Sequence, residues 1–212
     1  MAERLRAVLE LGPRPRRDPV DELVLTILSQ STSDGNRDRA WRALRARYPS
    51  WEDAEASPAP ELESVIRPAG LAGQKAAAIL AALRRLRSER GRITLDHLDG
   101  MTDDEAMAYL ASFRGVGRKT AACVLCFSLG RDVLPVDTHV HRIARRLGWV
   151  PEAAGATRAH DRLAAIVPPA LRAELHFLLI AHGRNTCRSR RPDCLRCPLN
   201  DGCPRVGADE DG

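Results

Sequence analysis

Hydrophobic residues recur at three- and four-residue spacing along most of the chain, with polar residues between them. This spacing places the apolar side chains on one face of an α-helix, and no stretch has the sustained two-residue alternation of a half-buried strand. The pattern therefore predicts an all-α fold. The predicted helices are Ala2–Leu11, Leu23–Ser29, Asn36–Tyr48, Trp51–Ala56, Pro60–Ile66, Gln74–Arg90, a helix after Thr102 that ends at Phe113, a helix through Val124 and Leu129, Thr138–Leu147, Thr157–Ile166 and Leu171–Ala181.

Short polar side chains mark several helix starts. Asp34 is predicted to N-cap the helix Asn36–Tyr48, and Thr102 to cap the helix whose first turn carries three acids. Asp137 precedes the helix Thr138–Leu147 and is predicted to cap it in the same way.

The stretch Gly115-Val116-Gly117 joins two of the predicted helices and is predicted to form a tight hairpin. The second helix would begin with unpaired N–H groups beside the cation of Arg118, which favours one phosphate of a nucleic-acid strand. A helix–turn–helix corner with a glycine cap is the alternative interpretation. A second glycine turn, Gly70–Gly73, precedes Lys75 and is read first as a plain helical connection.

Lysine is rare in this chain. Of its 33 lysine and arginine residues, only Lys75 and Lys119 are lysines. Arginine keeps its proton and cannot form a Schiff base, so a lysine directly after the hairpin suggests covalent amine chemistry. The alternative is that Lys119 only contacts phosphate.

Composition narrows the class of protein further. The net charge of +5 favours a polyanionic partner, and the aromatic content of 4% argues against a base-stacking platform. No apolar run is long enough to span a membrane, and the first 20 residues lack the apolar region of a signal peptide. We therefore expect a cytoplasmic, nucleoid-associated protein, in which structural disulfides would be rare.

Four of the six cysteines fall in one short loop near the C-terminus: Cys187, Cys194, Cys197 and Cys203. Zinc sites usually have two C-x-x-C pairs, whereas this loop has a single pair flanked by two lone cysteines, which suits an iron–sulfur cubane. Zinc and disulfides are the alternatives. Cys123 and Cys126, three positions apart, are interpreted as small buried hydrophobic residues.

Three stretches together resemble the endonuclease III family of DNA glycosylases. They are the hairpin Gly115–Ala121, the motif Val136-Asp137-Thr138-His139, and His182-Gly183-Arg184 followed by the four cysteines. The resemblance covers about residues 20–205. It implies two helical domains, residues 22–132 with the helix–hairpin–helix and residues 1–21 plus 133–212 with a [4Fe–4S] cluster held by the four cysteines.

The resemblance also implies roles for single residues. Lys119 would attack C1′ of a flipped nucleotide, and Asp137 would assist at the developing oxocarbenium ion. Double-stranded DNA with damaged bases or abasic sites would be the partner of a monomeric protein. The implied DNA-contacting residues are Gly115, Val116, Gly117, Arg118, Thr120 and His139, with Gln30, Ser31 and Leu71 near the gap left by the flipped base.

Two positions depart from the family pattern. Arg114 stands where proline often precedes the first hairpin glycine, and Leu28-Ser29-Gln30-Ser31 replaces the common Leu-Ser-Ala-Gln, which moves the glutamine one place earlier. We expect a glycosylase and AP lyase for oxidised pyrimidines. The alternatives are a mismatch thymine or uracil glycosylase, an enzyme acting mainly on abasic sites, and a DNA-binding protein without enzymatic activity.

Overall fold

The structure is a computed structural model that describes residues 1–12 and 16–208; residues 13–15 and 209–212 of the two implied domains lie outside the described part. Within those ranges every regular element is helical, which confirms the all-α prediction. The α-helices are α1 (Ala2–Arg6), α2 (Pro19–Ser29), α3 (Asp34–Arg47), α4 (Trp51–Ala56), α5 (Ala59–Ile66), α6 (Ala72–Arg90), α7 (Asp103–Ala111), α8 (Arg118–Phe127), α9 (Thr138–Arg146), α10 (Ala156–Ile166) and α11 (Arg172–Asn185). Short 3₁₀ helices cover Arg67–Ala69, Asp96–Gly100, Pro169–Leu171 and Asn200–Gly202.

The chain divides into two compact units. One contains Met1–Pro15 with Asp132–Gly212, and the other contains Arg16–Arg131. In the first unit, α9 packs on α11 and α11 on α1, around a core that includes Leu5, Val140 and Leu178. In the second unit, α8 packs against both α2 and α7, and α6 packs against α5.

Several helix boundaries follow the predicted capping chemistry. Thr102 accepts a hydrogen bond from the Glu105 amide while the Glu105 carboxylate accepts from the Thr102 amide, so the predicted cap is confirmed as a full capping box. The prediction for α3 is wrong by one residue. Ser33, not Asp34, is the N-cap: its hydroxyl accepts from the Asn36 amide, and Asp34 lies in the first helical turn, where its charge suits the helix dipole.

Several predicted helix ends differ from the structure, and helix α11 continues to Asn185 rather than ending at Ala181. Helix α1 ends at Arg6 rather than Leu11. Helix α7 ends at Ala111 rather than Phe113, because the Ser112 amide bonds back to Ala108 and the Phe113 amide to Leu110 in a tightened last turn.

The described residues include no single helix with the length and hydrophobicity needed to cross a bilayer. One pair, Ala156–Ile166 with Pro169–Asn185, meets those two criteria jointly, with a bend of 117° between its members.

Candidate functional site

A tight turn joins α7 to α8 and contains both predicted hairpin glycines. Gly115 has a φ of +74°, and a Cβ at this position would lie 3.1 Å from the Cβ of Ala78. Both facts favour glycine. Gly117 differs, since a Cβ there would meet nothing within 4 Å. The protein itself therefore leaves the space in front of Gly117 open.

The first turn of α8 is electropositive. Gly117 is its N-cap and supplies no side-chain acceptor, and the first turn contains no acid. Its leading N–H groups therefore face outward beside Arg118 and Lys119, which are both half-buried. Val116 and Thr120 are buried and anchor the turn from inside. This arrangement suits an anion, as the sequence predicted.

A buried acid lies within electrostatic range of Lys119. Glu22 on α2 is 5% exposed; it accepts a hydrogen bond from the Thr26 hydroxyl (3.2 Å) and lies 3.5 Å from Arg17. Burial raises the pKa of Glu22, while the nearby charges of Arg17 and Lys119 oppose the rise. Sequence reasoning missed this residue, although an acid inside the otherwise apolar run of α2 is a detectable signal.

The residues predicted to lie near a base gap occupy two turns of the same unit. The Gln30 side-chain amide donates to the carbonyl of Gly115 (3.0 Å), so it braces the hairpin. Ser31 and Leu71 both have positive φ values, 50° and 49°. Leu71 is 54% exposed, which is unusual for a large apolar side chain in a turn.

Asp137 and His139 belong to the other unit, at the start of α9. The Asp137 carboxylate accepts from the Val140 amide at 2.8 Å, so the predicted capping role is confirmed. His139 Nδ1 lies 3.2 Å from the Arg142 guanidinium. Burial lowers the pKa of His139, and the Asp137 charge opposes this shift.

The four C-terminal cysteines line one cavity, together with His182 and Arg146. No disulfide joins these four loop cysteines in the structure, which contradicts the disulfide alternative. Among the described residues, no set of three or more His, Cys, Asp or Glu side chains is arranged around a single metal ion. A four-iron cluster does not need that arrangement, because each of its four cysteines binds a different iron. The sulfur atoms already receive polar hydrogens: Arg146 donates to Cys187 Sγ (3.3 Å) and the Leu199 amide to Cys197 Sγ (3.4 Å).

Two arginines one turn apart on α9 hold the loop that begins at Cys187. Arg146 is 4% exposed and donates to the carbonyls of Arg188 (2.6 Å) and Ser189 (3.1 Å). Arg142 donates to the carbonyl of Cys187 at 2.9 Å. Sequence reasoning missed both arginines. The available signal was their four-residue spacing, which places both on one face of a helix.

Comparison with known proteins gives consistent results. Residues 24–169 match the family described as HhH-GPD superfamily base excision DNA repair protein. An Arabidopsis thaliana protein classed with the DNA glycosylases is 40% identical over 192 residues, which are 89% of this chain and 65% of the plant protein. Endonuclease III of Thermotoga maritima is 32% identical over 95% of this chain and 91% of its own length.

A solved structure of an endonuclease III is also similar to this chain. The structure of an endonuclease III trapped as a covalent intermediate with DNA superposes with a TM-score of 0.82 at 28% identity, over 96% of this chain and 92% of that one. Because the superfamily match spans most of the chain and the bacterial relative is matched over nearly its full length, the chain belongs to the endonuclease III family of helix–hairpin–helix DNA glycosylases, within the HhH-GPD superfamily of base excision DNA repair proteins.

Proposed function

We propose that this protein is a base-excision DNA glycosylase with AP lyase activity that removes oxidised pyrimidines from double-stranded DNA. The observation that carries the proposal is the position of Lys119. Lys119 is half-buried on the first turn of α8, directly after a glycine hairpin that is open at Gly117. An amine at that place can reach a sugar whose phosphate the hairpin holds.

The hairpin would bind a phosphate of the DNA strand. The open backbone at Gly117 lets a phosphate approach the N–H groups of the first turn of α8, and Arg118 adds a positive charge. Such contacts fix the strand without reading its sequence. The binding would therefore depend on salt concentration rather than on the neighbouring bases.

The covalent steps use the Lys119 amine. Its nitrogen forms a bond to C1′ while the C1′–base bond breaks, and the electron pair of that bond leaves with the base, which takes up a proton. Opening of the sugar and loss of the amine protons give an imine. Removal of a C2′ proton then expels the 3′ phosphate oxygen, which nicks the strand. Asp137 would offset the positive charge that develops at C1′.

Leu71 is the residue best suited to occupy the space of a flipped nucleotide. It is exposed and apolar, and it lies at the tip of a turn, whereas the Gln30 amide is engaged with Gly115. Flipping a nucleotide costs a few kcal/mol of stacking and pairing, which an inserted side chain partly restores. Ser31, with a small side chain at a similar turn, would contact the strand beside it.

An incision panel tests this function. Duplexes that carry thymine glycol, uracil, a thymine mismatch or an abasic site are incubated with the wild type and with Lys119→Gln. We expect nicking of thymine glycol and abasic duplexes by the wild type only, and a borohydride-trapped complex that requires Lys119. Strong activity on thymine mismatches would replace the oxidised-pyrimidine assignment, and equal trapping by Lys119→Gln would overturn the lyase mechanism.

We also propose that Cys187, Cys194, Cys197 and Cys203 hold a [4Fe–4S] cluster. Four thiols around one cavity, with N–H donors already directed at two sulfur atoms, form a suitable donor set. The cluster would cross-link the C-terminal loop and take no part in the covalent steps. Iron and sulfide analysis should give four of each per chain; stoichiometric zinc without iron would overturn the assignment.

A further inference from the structure

Lys75 is the more deeply placed of the two lysines. It is 2% exposed on the first turn of α6, and its amine donates to the carbonyls of Leu28 and Ala69, each at 2.8 Å. Burial lowers the pKa of this lysine. The side chain therefore joins three segments of one unit: α6, the end of α2 and the 3₁₀ helix Arg67–Ala69.

Both acceptor carbonyls lie at helix ends. Leu28 is in the last turn of α2, and Ala69 is the last residue of its 3₁₀ helix. Carbonyls at such ends have no partner within the helix and carry partial negative charge, so one buried ammonium satisfies both. A neutral apolar side chain of the same size would leave them buried without a donor.

Each acceptor precedes a turn with unusual backbone geometry. Ser31 follows Leu28 by three residues and Leu71 follows Ala69 by two, and both have positive φ although neither is glycine. Such conformations persist only where the surrounding structure holds them. The Lys75 amine contacts the chain shortly before each of these turns.

The composition supports a specific need for lysine here. The chain uses arginine at nearly every basic position but keeps a lysine at 75. An ammonium is compact and can turn its three donors to suit nearby acceptors, whereas a guanidinium is larger and donates only within its fixed plane. We propose that Lys75 is a positioning residue that sets the Ser31 and Leu71 turns relative to each other, so that both engage the damaged strand together. This inference rests on the proposed function.

The test is a double-mutant cycle between Lys75→Met and Leu71→Ala, measured as kcat/KM on a thymine glycol duplex. Lys75→Met should lower kcat/KM about 10- to 100-fold, and the loss in the double variant should be at least about fivefold smaller than the product of the two single losses, because Lys75 acts in part through the Leu71 turn. Borohydride trapping on single-stranded abasic DNA, which needs no flipping, should stay within about twofold of the wild type. Lys75→Arg should not restore activity.

Leu83→Ala is the matched control, since Leu83 is fully buried on the same helix away from the turns. It should lower stability and leave the ratio of duplex to single-strand activity unchanged. If Lys75→Met does not fold, Lys75→Gln, which keeps a shorter donor, takes its place in the cycle. Additive losses in the cycle overturn the inference while the proposed function stands. A wild type that neither nicks nor traps any substrate overturns both.

Discussion

Two glycine turns in the same unit open helices that carry the only two lysines of the chain, and they orient their side chains in opposite ways. In the Gly115 turn, Val116 is buried and Lys119 is half-exposed. In the Gly70 turn, Leu71 is 54% exposed and Lys75 is 2% exposed. In the Gly115 turn the apolar residue is the more buried of the two, whereas in the Gly70 turn the lysine is.

Helix geometry explains the exchange. Lys119 is the second residue of α8, and Lys75 is the fourth residue of α6. At 3.6 residues per turn, a shift of two positions rotates a side chain by about 200° around the helix axis. A lysine next to a glycine turn is therefore available for chemistry or enclosed in the protein according to its place in the first helical turn.

Replacing each lysine by arginine should give the largest difference between the two turns, because only Lys119 is expected to react with DNA. Lys119→Arg keeps the charge but removes the reactive amine, so we expect at least about a 1000-fold loss of strand nicking with duplex affinity within about threefold of the wild type. Lys75→Arg should retain trapping on single-stranded abasic DNA. Gel analysis of nicking, with binding measured at fixed salt, separates the two effects. Efficient nicking by Lys119→Arg would show that another group is the nucleophile.

Replacing each lysine by methionine should affect stability in the opposite order to strand nicking, with the larger loss of stability at Lys75. Lys75→Met leaves two buried carbonyls without a donor and should lower the free energy of unfolding by about 1–3 kcal/mol. Lys119→Met should change it by less than about 0.5 kcal/mol, because the side chain is half-exposed. Urea denaturation at one pH measures both values. Similar losses for the two variants would contradict the assignment of one lysine to structure and the other to chemistry.

Val116 and Leu71 should differ in the opposite way, since the residue of the Gly115 turn is the buried one. Val116→Ala removes two buried methyl groups and should cost about 1–2 kcal/mol of unfolding free energy. Leu71→Ala should cost less than about 0.5 kcal/mol but reduce incision of a thymine glycol duplex. Denaturation and incision are measured on the same preparations. If Leu71→Ala lost more stability than Val116→Ala, the assignment of Val116 to the core and Leu71 to the surface would be wrong.

The smallest expected effect concerns the buried acid near Lys119. Burial raises the pKa of Glu22 above 4.5, so the folded protein binds this proton more tightly than the unfolded chain does. Its contribution to stability is therefore greatest below about pH 4.5 and is lost as the pH rises through the folded-state pKa. Glu22→Gln cannot ionise and should therefore be more stable than the wild type near neutral pH. Urea denaturation at pH 4 and pH 8 checks the sign; a variant that loses more stability at pH 8 than at pH 4 would contradict it.

Local patterns made much of the second unit predictable from the sequence. The hairpin at Gly115, the cap at Thr102 and most helices follow from spacing and backbone chemistry within a few residues. The choice of Ser33 over Asp34 as a cap could not be predicted, because both side chains can accept the same kind of bond.

Contacts between distant parts of the chain were not predictable. The Lys75 amine reaches carbonyls 47 and 6 positions away, and Gln30 donates to a carbonyl 85 positions away. Arg146 donates to a sulfur 41 positions along the chain. A carbonyl acceptor carries no side-chain identity, so a sequence gives no indication of which one a buried donor will meet.

The enclosure of Lys75 also has a practical consequence. A chain with two lysines, one of them 2% exposed, offers amine-directed reagents a single accessible ε-amino group. Reductive methylation with ¹³C-formaldehyde would label Lys119 in preference to Lys75. The protein therefore carries a built-in spectroscopic label at the residue assigned to the chemistry, and its signal would report DNA binding without any engineered substitution.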